Sequence, residues 1–185
     1  MSAELEFSVS QPSSYHLPLI ELARQTLSSG KPLWFRVTSN SMDPMISKDD
    51  SILVERCDLN TLQRGDMIVI QAGNELVVHR YLGVDQNSLI TKGDRLVSID
   101  PPVTQADYTG IVIKIKKAGC SLDTGAPIFR IVNRLLGFLG WMEYSSGRAS
   151  SSRISGLTGF SRLWRSSKIV MVFAFIKAYT LVLKG

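Results

Sequence analysis

Between Leu33 and Lys117 the chain is cut into short runs, LWFRVT, SILVE, DMIVIQ, ELVVHRYL, SLIT and GIVIKIK. Their branched and aromatic residues suit a pleated, half-buried surface. Turn signals separate them: Lys48-Asp49-Asp50, Arg64-Gly65-Asp66, Ala72-Gly73-Asn74, Asp85-Gln86-Asn87 and Pro101-Pro102. Strands this short and this regularly punctuated predict a mainly β, mostly antiparallel domain.

The flanks differ from this centre. With 185 residues, 44% of them hydrophobic, the chain suits one domain and an appendage. Residues 1–32 read as a polar lead-in and a short helix. Pro18 stands near the helix start, Leu19, Ile20, Ala23 and Leu27 recur at helical spacing, and Gly30 caps the end. The β domain takes 33–120. Residues 121–185 form a tail with two apolar helices, 128–142 and 169–183, joined by a Ser/Gly/Arg-rich linker over 145–167. Charge divides at the same place. Up to residue 120 there are 12 Lys and Arg against 14 Asp and Glu, and beyond it nine against two. A basic, apolar tail of this kind suits a membrane interface or a partner protein, and the alternative is packing on the β domain. Nucleic acid is the poorer match, because apolar runs accompany the charges.

Several classes drop out. Two cysteines, Cys57 and Cys120, cannot make a disulfide-dense scaffold, and two histidines without a C-x-x-C pair argue against structural zinc. The polar, acidic start is not a secretory signal peptide, and no unbroken run of about 20 apolar residues appears. The expected location is the cytoplasm, with peripheral attachment to a membrane open.

Three places can carry chemistry. Ser41, in TSNSMDPMI, directly follows a strand and precedes a proline, on a bend that would aim its hydroxyl outward. Ser39 could add a hydroxyl to an oxyanion hole. Taken alone, a serine-rich turn more often bonds its own backbone. His79, in ELVVHRYL, shares a strand face with Val77 and Tyr81, while Val78, Arg80 and Leu82 share the other. It is the one well-placed neutral-pH base, since His16 lies in the lead-in. Asp94 and Asp100, in TKGDRLVSID, offer a carboxylate to orient that imidazole, although Gly93-Asp94 also reads as a plain solvated turn.

In this order Ser39-Asn40-Ser41-Met42-Asp43-Pro44, Arg64-Gly65-Asp66, His79-Arg80, Thr91-Lys92-Gly93-Asp94 and Asp100 resemble the type I signal peptidase family. More narrowly they are similar to the branch of archaea, spore-formers and the endoplasmic reticulum, where histidine replaces the bacterial lysine base. The resemblance covers about residues 34–116. It implies a β-rich catalytic domain of coiled sheets that cleaves a peptide bond after small residues, without metal or organic cofactor. It also implies Ser41 as nucleophile, His79 as general base and Asp100 as acid, with Asp94 and Ser39 in support. Asn40 stands where the family usually has glycine, and Arg95 where asparagine is common. Members normally carry an N-terminal transmembrane helix, which the polar lead-in replaces. These departures point away from housekeeping processing of secretory precursors and toward a dedicated protein or peptide substrate. The competing reading is a non-catalytic module that binds an extended peptide as an added strand. The related self-cleaving repressors use a lysine base and an upstream helix-turn-helix, for which about 30 residues with one helix are too few.

Overall fold

A computed structural model describes residues 16–149 and Ala174. The lead-in, most of the expected linker and all of the apolar run 169–183 except Ala174 lie outside the described residues. The elements, in order, are α1 (His16–Ser28), β1 (Leu33–Arg36), β2 (Ser51–Glu55), β3 (Met67–Ala72) and β4 (Glu75–Asp85), followed by β5 (Ser88–Lys92), β6 (Tyr108–Lys117), β7 (Cys120–Asp123) and α2 (Pro127–Ala149). The strands form one seven-stranded antiparallel sheet in the order β1-β2-β6-β3-β4-β5, with β7 paired to β6. The protein is therefore β-rich, as expected, and no described helix is long and apolar enough to cross a membrane.

Sheet curvature comes from three interruptions of register, at Leu53/Val54, Val69/Ile70 and Tyr81/Gly83. Such irregularities bend a strand and increase its twist. The coiled sheet buries both faces. Met67 and Val69 of β3 enter one core cluster with Ala23, Leu27, Phe35, Val112 and Phe129, whereas Ile68 and Ile70 enter another with Tyr81, Leu89 and Tyr108. That explains the unbroken apolar reading of MIVI, since a strand covered on both sides needs no polar alternation.

Helix α1 buries Ile20, Ala23 and Leu27 and ends at Gly30, whose φ of +79° suits a residue without Cβ. Leu19, expected in the buried stripe, is exposed. It lies at the rim of the buried side, one turn before Ala23 in the first turn of the helix.

The C-terminal boundary needs correction. Strand pairing continues to Asp123, because Ala118 and Gly119 both take positive φ and make a tight two-residue turn into β7. Helix α2 then runs to Ala149, so residues 145–149 are helical rather than linker. It packs on β4 and gives Phe129 and Leu136 to the main core. Residues 128–142 are thus part of the domain, with one apolar side still exposed.

Candidate active site

The Ser41 segment is held from below. Met42, Met45 and Ile46 are almost completely buried, each worth roughly 1.5–3 kcal/mol as a fully buried apolar side chain. Around them the loop is closed by hydrogen bonds. The Val37 N–H donates to the Asp50 carbonyl, the Asp49 N–H to the Val37 carbonyl, and the Ile46 N–H to the Met42 carbonyl, at 2.8, 2.8 and 3.1 Å. Asn40 is not among the residues with positive φ. It serves the bend differently from the backbone tolerance its type suggests: its side-chain oxygen accepts the Lys48 N–H at 2.9 Å and its carbonyl the Asp43 N–H at 3.2 Å.

A second loop presses on the first. The Arg95 N–H donates to the Ser41 carbonyl at 2.9 Å, and the Arg95 guanidinium pairs with Asp43 at 3.0 Å. A Cβ on Gly93 would lie 2.8 Å from the Ser41 carbonyl oxygen. Glycine at 93 therefore lets the end of β5 come against the backbone of the serine, a closer approach than any other residue allows.

His79 sits in the middle of β4 opposite Ile68, with 6% of its surface exposed. Its Nδ1 lies 2.6 Å from Asp100 Oδ2 and its Nε2 lies 3.2 Å from Ser41 Oγ. With the proton on Nδ1, which the carboxylate favours, Nε2 is an acceptor and the Ser41 hydroxyl donates to it. Ser39 Oγ stands 3.4 Å from Ser41 Oγ. The loop after β5 delivers Asp100, whose N–H donates to the Thr91 carbonyl at 3.0 Å. The Thr91 hydroxyl donates to the same Asp100 Oδ2 that faces the imidazole, at 2.6 Å. Such a chain can move a proton from serine to imidazole while a carboxylate offsets the charge that develops.

Asp94 goes elsewhere. It accepts two parallel hydrogen bonds from Arg80, at 2.7 and 2.6 Å, and makes none with His79 among the described residues. Adjacent positions on β4 point to opposite faces, so His79 meets Ser41 while Arg80 turns toward α2. Arg80 is 1% exposed and also donates to the Gly65 carbonyl at 2.6 Å and to Asn133 Oδ1 at 3.0 Å. A buried guanidinium needs this full set of acceptors, since an uncompensated one costs several kcal/mol.

Three contributors escaped the sequence reading. Thr91 lay inside a quoted motif without a role. The Arg95 backbone was visible only as a departure from a pattern. Asn133 showed itself as a polar residue in an apolar helix, a signal that does not name its partner. No group of His, Cys, Asp and Glu among the described residues is arranged to hold a metal ion.

Comparison with known proteins agrees with this architecture. No curated protein matches the chain. A family model described as Peptidase S24-like matches residues 5–113, which takes in Ser41, His79 and Asp100 and stops short of α2. With more than half of its length matched, the chain belongs to the Peptidase S24-like family.

Proposed function

We propose that the protein is a serine endopeptidase that cleaves a peptide bond in a dedicated protein or peptide by a Ser-His-Asp mechanism. The observation that carries this reading is the single line Ser41 Oγ, His79 Nε2 and Nδ1, Asp100 Oδ2, with separations of 3.2 and 2.6 Å. In that mechanism His79 takes the Ser41 proton as Oγ attacks the carbonyl carbon, and Asp100 stabilises the imidazolium. The Ser41 N–H and the Ser39 hydroxyl are the oxyanion donors. His79 then returns the proton to the leaving amine, the scissile C–N bond breaks, and water hydrolyses the acyl-enzyme by the reverse path. Within the broader S24-like family, a histidine base followed by Arg80 favours the Ser-His branch of signal-peptidase-like enzymes, and so cleavage after small residues.

The test is incubation of the intact protein with a complex peptide library, with new termini read by mass spectrometry. The expected result is a small set of cleavages sharing small residues before the cut, absent with Ser41→Ala. Binding of peptides by wild type and Ser41→Ala alike, with no new termini, would instead support the non-catalytic peptide-binding reading.

A further inference from the structure

Helix α2 is apolar on two opposite sides. The side toward the sheet carries Phe129, Asn133, Leu136, Gly137 and Gly140, all buried. Asn133 meets Arg80, and the neighbouring Arg134 reaches Asp66 Oδ1 at 2.9 Å. The outward side carries Ile128, Ile131, Leu135, Phe138 and Met142, which are 41–65% exposed. Their spacing of three and four residues makes one continuous apolar stripe, roughly 20 Å long at the helical rise. Trp141 flanks it, its ring 6.3 Å from that of Phe138. A contiguous apolar patch of this extent marks an interaction surface.

Charge selects the occupant. After Glu143 the chain holds seven Lys and Arg and no Asp or Glu. A second copy on the stripe would bring two such basic segments together, which is unfavourable. The apolar segment 169–183 of the same chain is a poor cover too. Thirteen of its 15 residues are apolar, so seating it on one stripe would leave much of it in water. A surface that is apolar below and anionic above accepts the stripe, the second apolar segment and the basic residues together.

We propose that the outward stripe of α2 docks the domain on an anionic membrane surface. Because the inner side of α2 is locked to Arg80 and Asp66, docking holds the Ser41–His79 pair at a fixed position relative to that surface.

The experiment is flotation of the full chain with vesicles of phosphatidylcholine containing about a third phosphatidylglycerol, beside vesicles of phosphatidylcholine alone. The expected result is flotation with the anionic vesicles, release as NaCl is raised, and little flotation on the neutral ones. Ile131→Asp with Phe138→Asp should lower partitioning roughly tenfold or more. The milder Ile131→Ser with Phe138→Ser should lower it in the same direction. An unchanged melting temperature and unchanged labelling of Ser41 by a fluorophosphonate would show that the fold survives in both. The proposal is overturned if both variants float like wild type, which would assign binding to the tail beyond α2. It is also overturned if wild type ignores anionic vesicles, or if it forms a dimer that the variants dissolve without any vesicle binding.

Discussion

Asp94 and Asp100 are alike in type and lie in one loop region, yet their partners separate them. Asp100 faces His79 and Thr91, whereas Asp94 is the double acceptor of a buried arginine. Asp100→Asn is predicted to cut turnover by on the order of 10²-fold or more while leaving the melting curve near wild type. Asp94→Asn should instead lower stability by about 3–5 kcal/mol, because Arg80 loses its carboxylate, and activity should fall with it. Kinetics beside thermal melts separate the two outcomes, and wild-type turnover in Asp100→Asn would reduce the unit to a serine–histidine pair. In the proposed mechanism Thr91 is a positioning residue, acting through Asp100. Thr91→Val keeps the shape and removes the hydroxyl that holds Asp100, so kcat should drop roughly tenfold with KM little changed. Thr91→Ser should restore most of it. A Thr91→Val enzyme with normal kcat would show that Asp100 is held adequately without the hydroxyl. These roles were only half legible in the sequence. The order of Ser41, His79 and Asp100 could be read along the chain, but which aspartate meets the imidazole depends on the turn at Asp94-Arg95 and the return of the loop to Thr91.

At the level of elements, α2 packs at close range on the turn Arg64-Gly65-Asp66. Gly65 has φ +100°, and a Cβ there would overlap the Asn133 carbonyl, while a Cβ on Gly137 would overlap the Gly65 backbone. Gly65→Ala is therefore expected to cost at least the roughly 1–3 kcal/mol of an overpacked core site, with strained backbone added. A denaturation midpoint equal to wild type would mean that α2 can slide aside at no cost. Removing the chain from Pro127 onward uncovers the main cluster at Phe129 and Leu136 and takes Asn133 from Arg80. The truncated protein should lose cooperative unfolding, and a sharp, native-like melt for it would show that the β-sheet keeps its core without α2. The helix itself was readable from its apolar period, but its orientation was not. Polar residues on such a helix ordinarily face water, and only a buried arginine 53 positions away turns Asn133 inward. Strand β7 was missed for a local reason: its turn uses Ala118 at φ +49°, where sequence patterns lead one to expect glycine or asparagine.

Across the whole molecule, the sheet and its loops bring together residues 38 and 21 positions apart into one hydrogen-bonded line. The six strand runs were legible because branched residues and turn signals alternate so regularly. The coiling that lets β4 and β5 carry a histidine and a loop to the serine was not, since it arises from register shifts that pairing alone creates. Stability should also depend on pH through the second cluster. Burial raises the Tyr108 hydroxyl far above its ordinary value of 10.0, helped by its hydrogen bond with Cys57, and burial raises Tyr81 in the same direction. The folded state thus keeps these protons after the unfolded chain begins to release them. That stability is fully present below about pH 10 and is lost as pH rises beyond it. Melting temperature should therefore fall above pH 10, and Tyr108→Phe should flatten the fall; an equal fall in both proteins would remove Tyr108 as its source. Activation of Ser41 by His79 and Asp100 as one unit is measured by the rate at which a fluorophosphonate labels Ser41. The expected rate is lower by on the order of 10²-fold or more in His79→Ala, with a smaller loss in Asp100→Asn and no added loss when the two are combined. Labelling of a well-folded His79→Ala protein at the wild-type rate would contradict this activation.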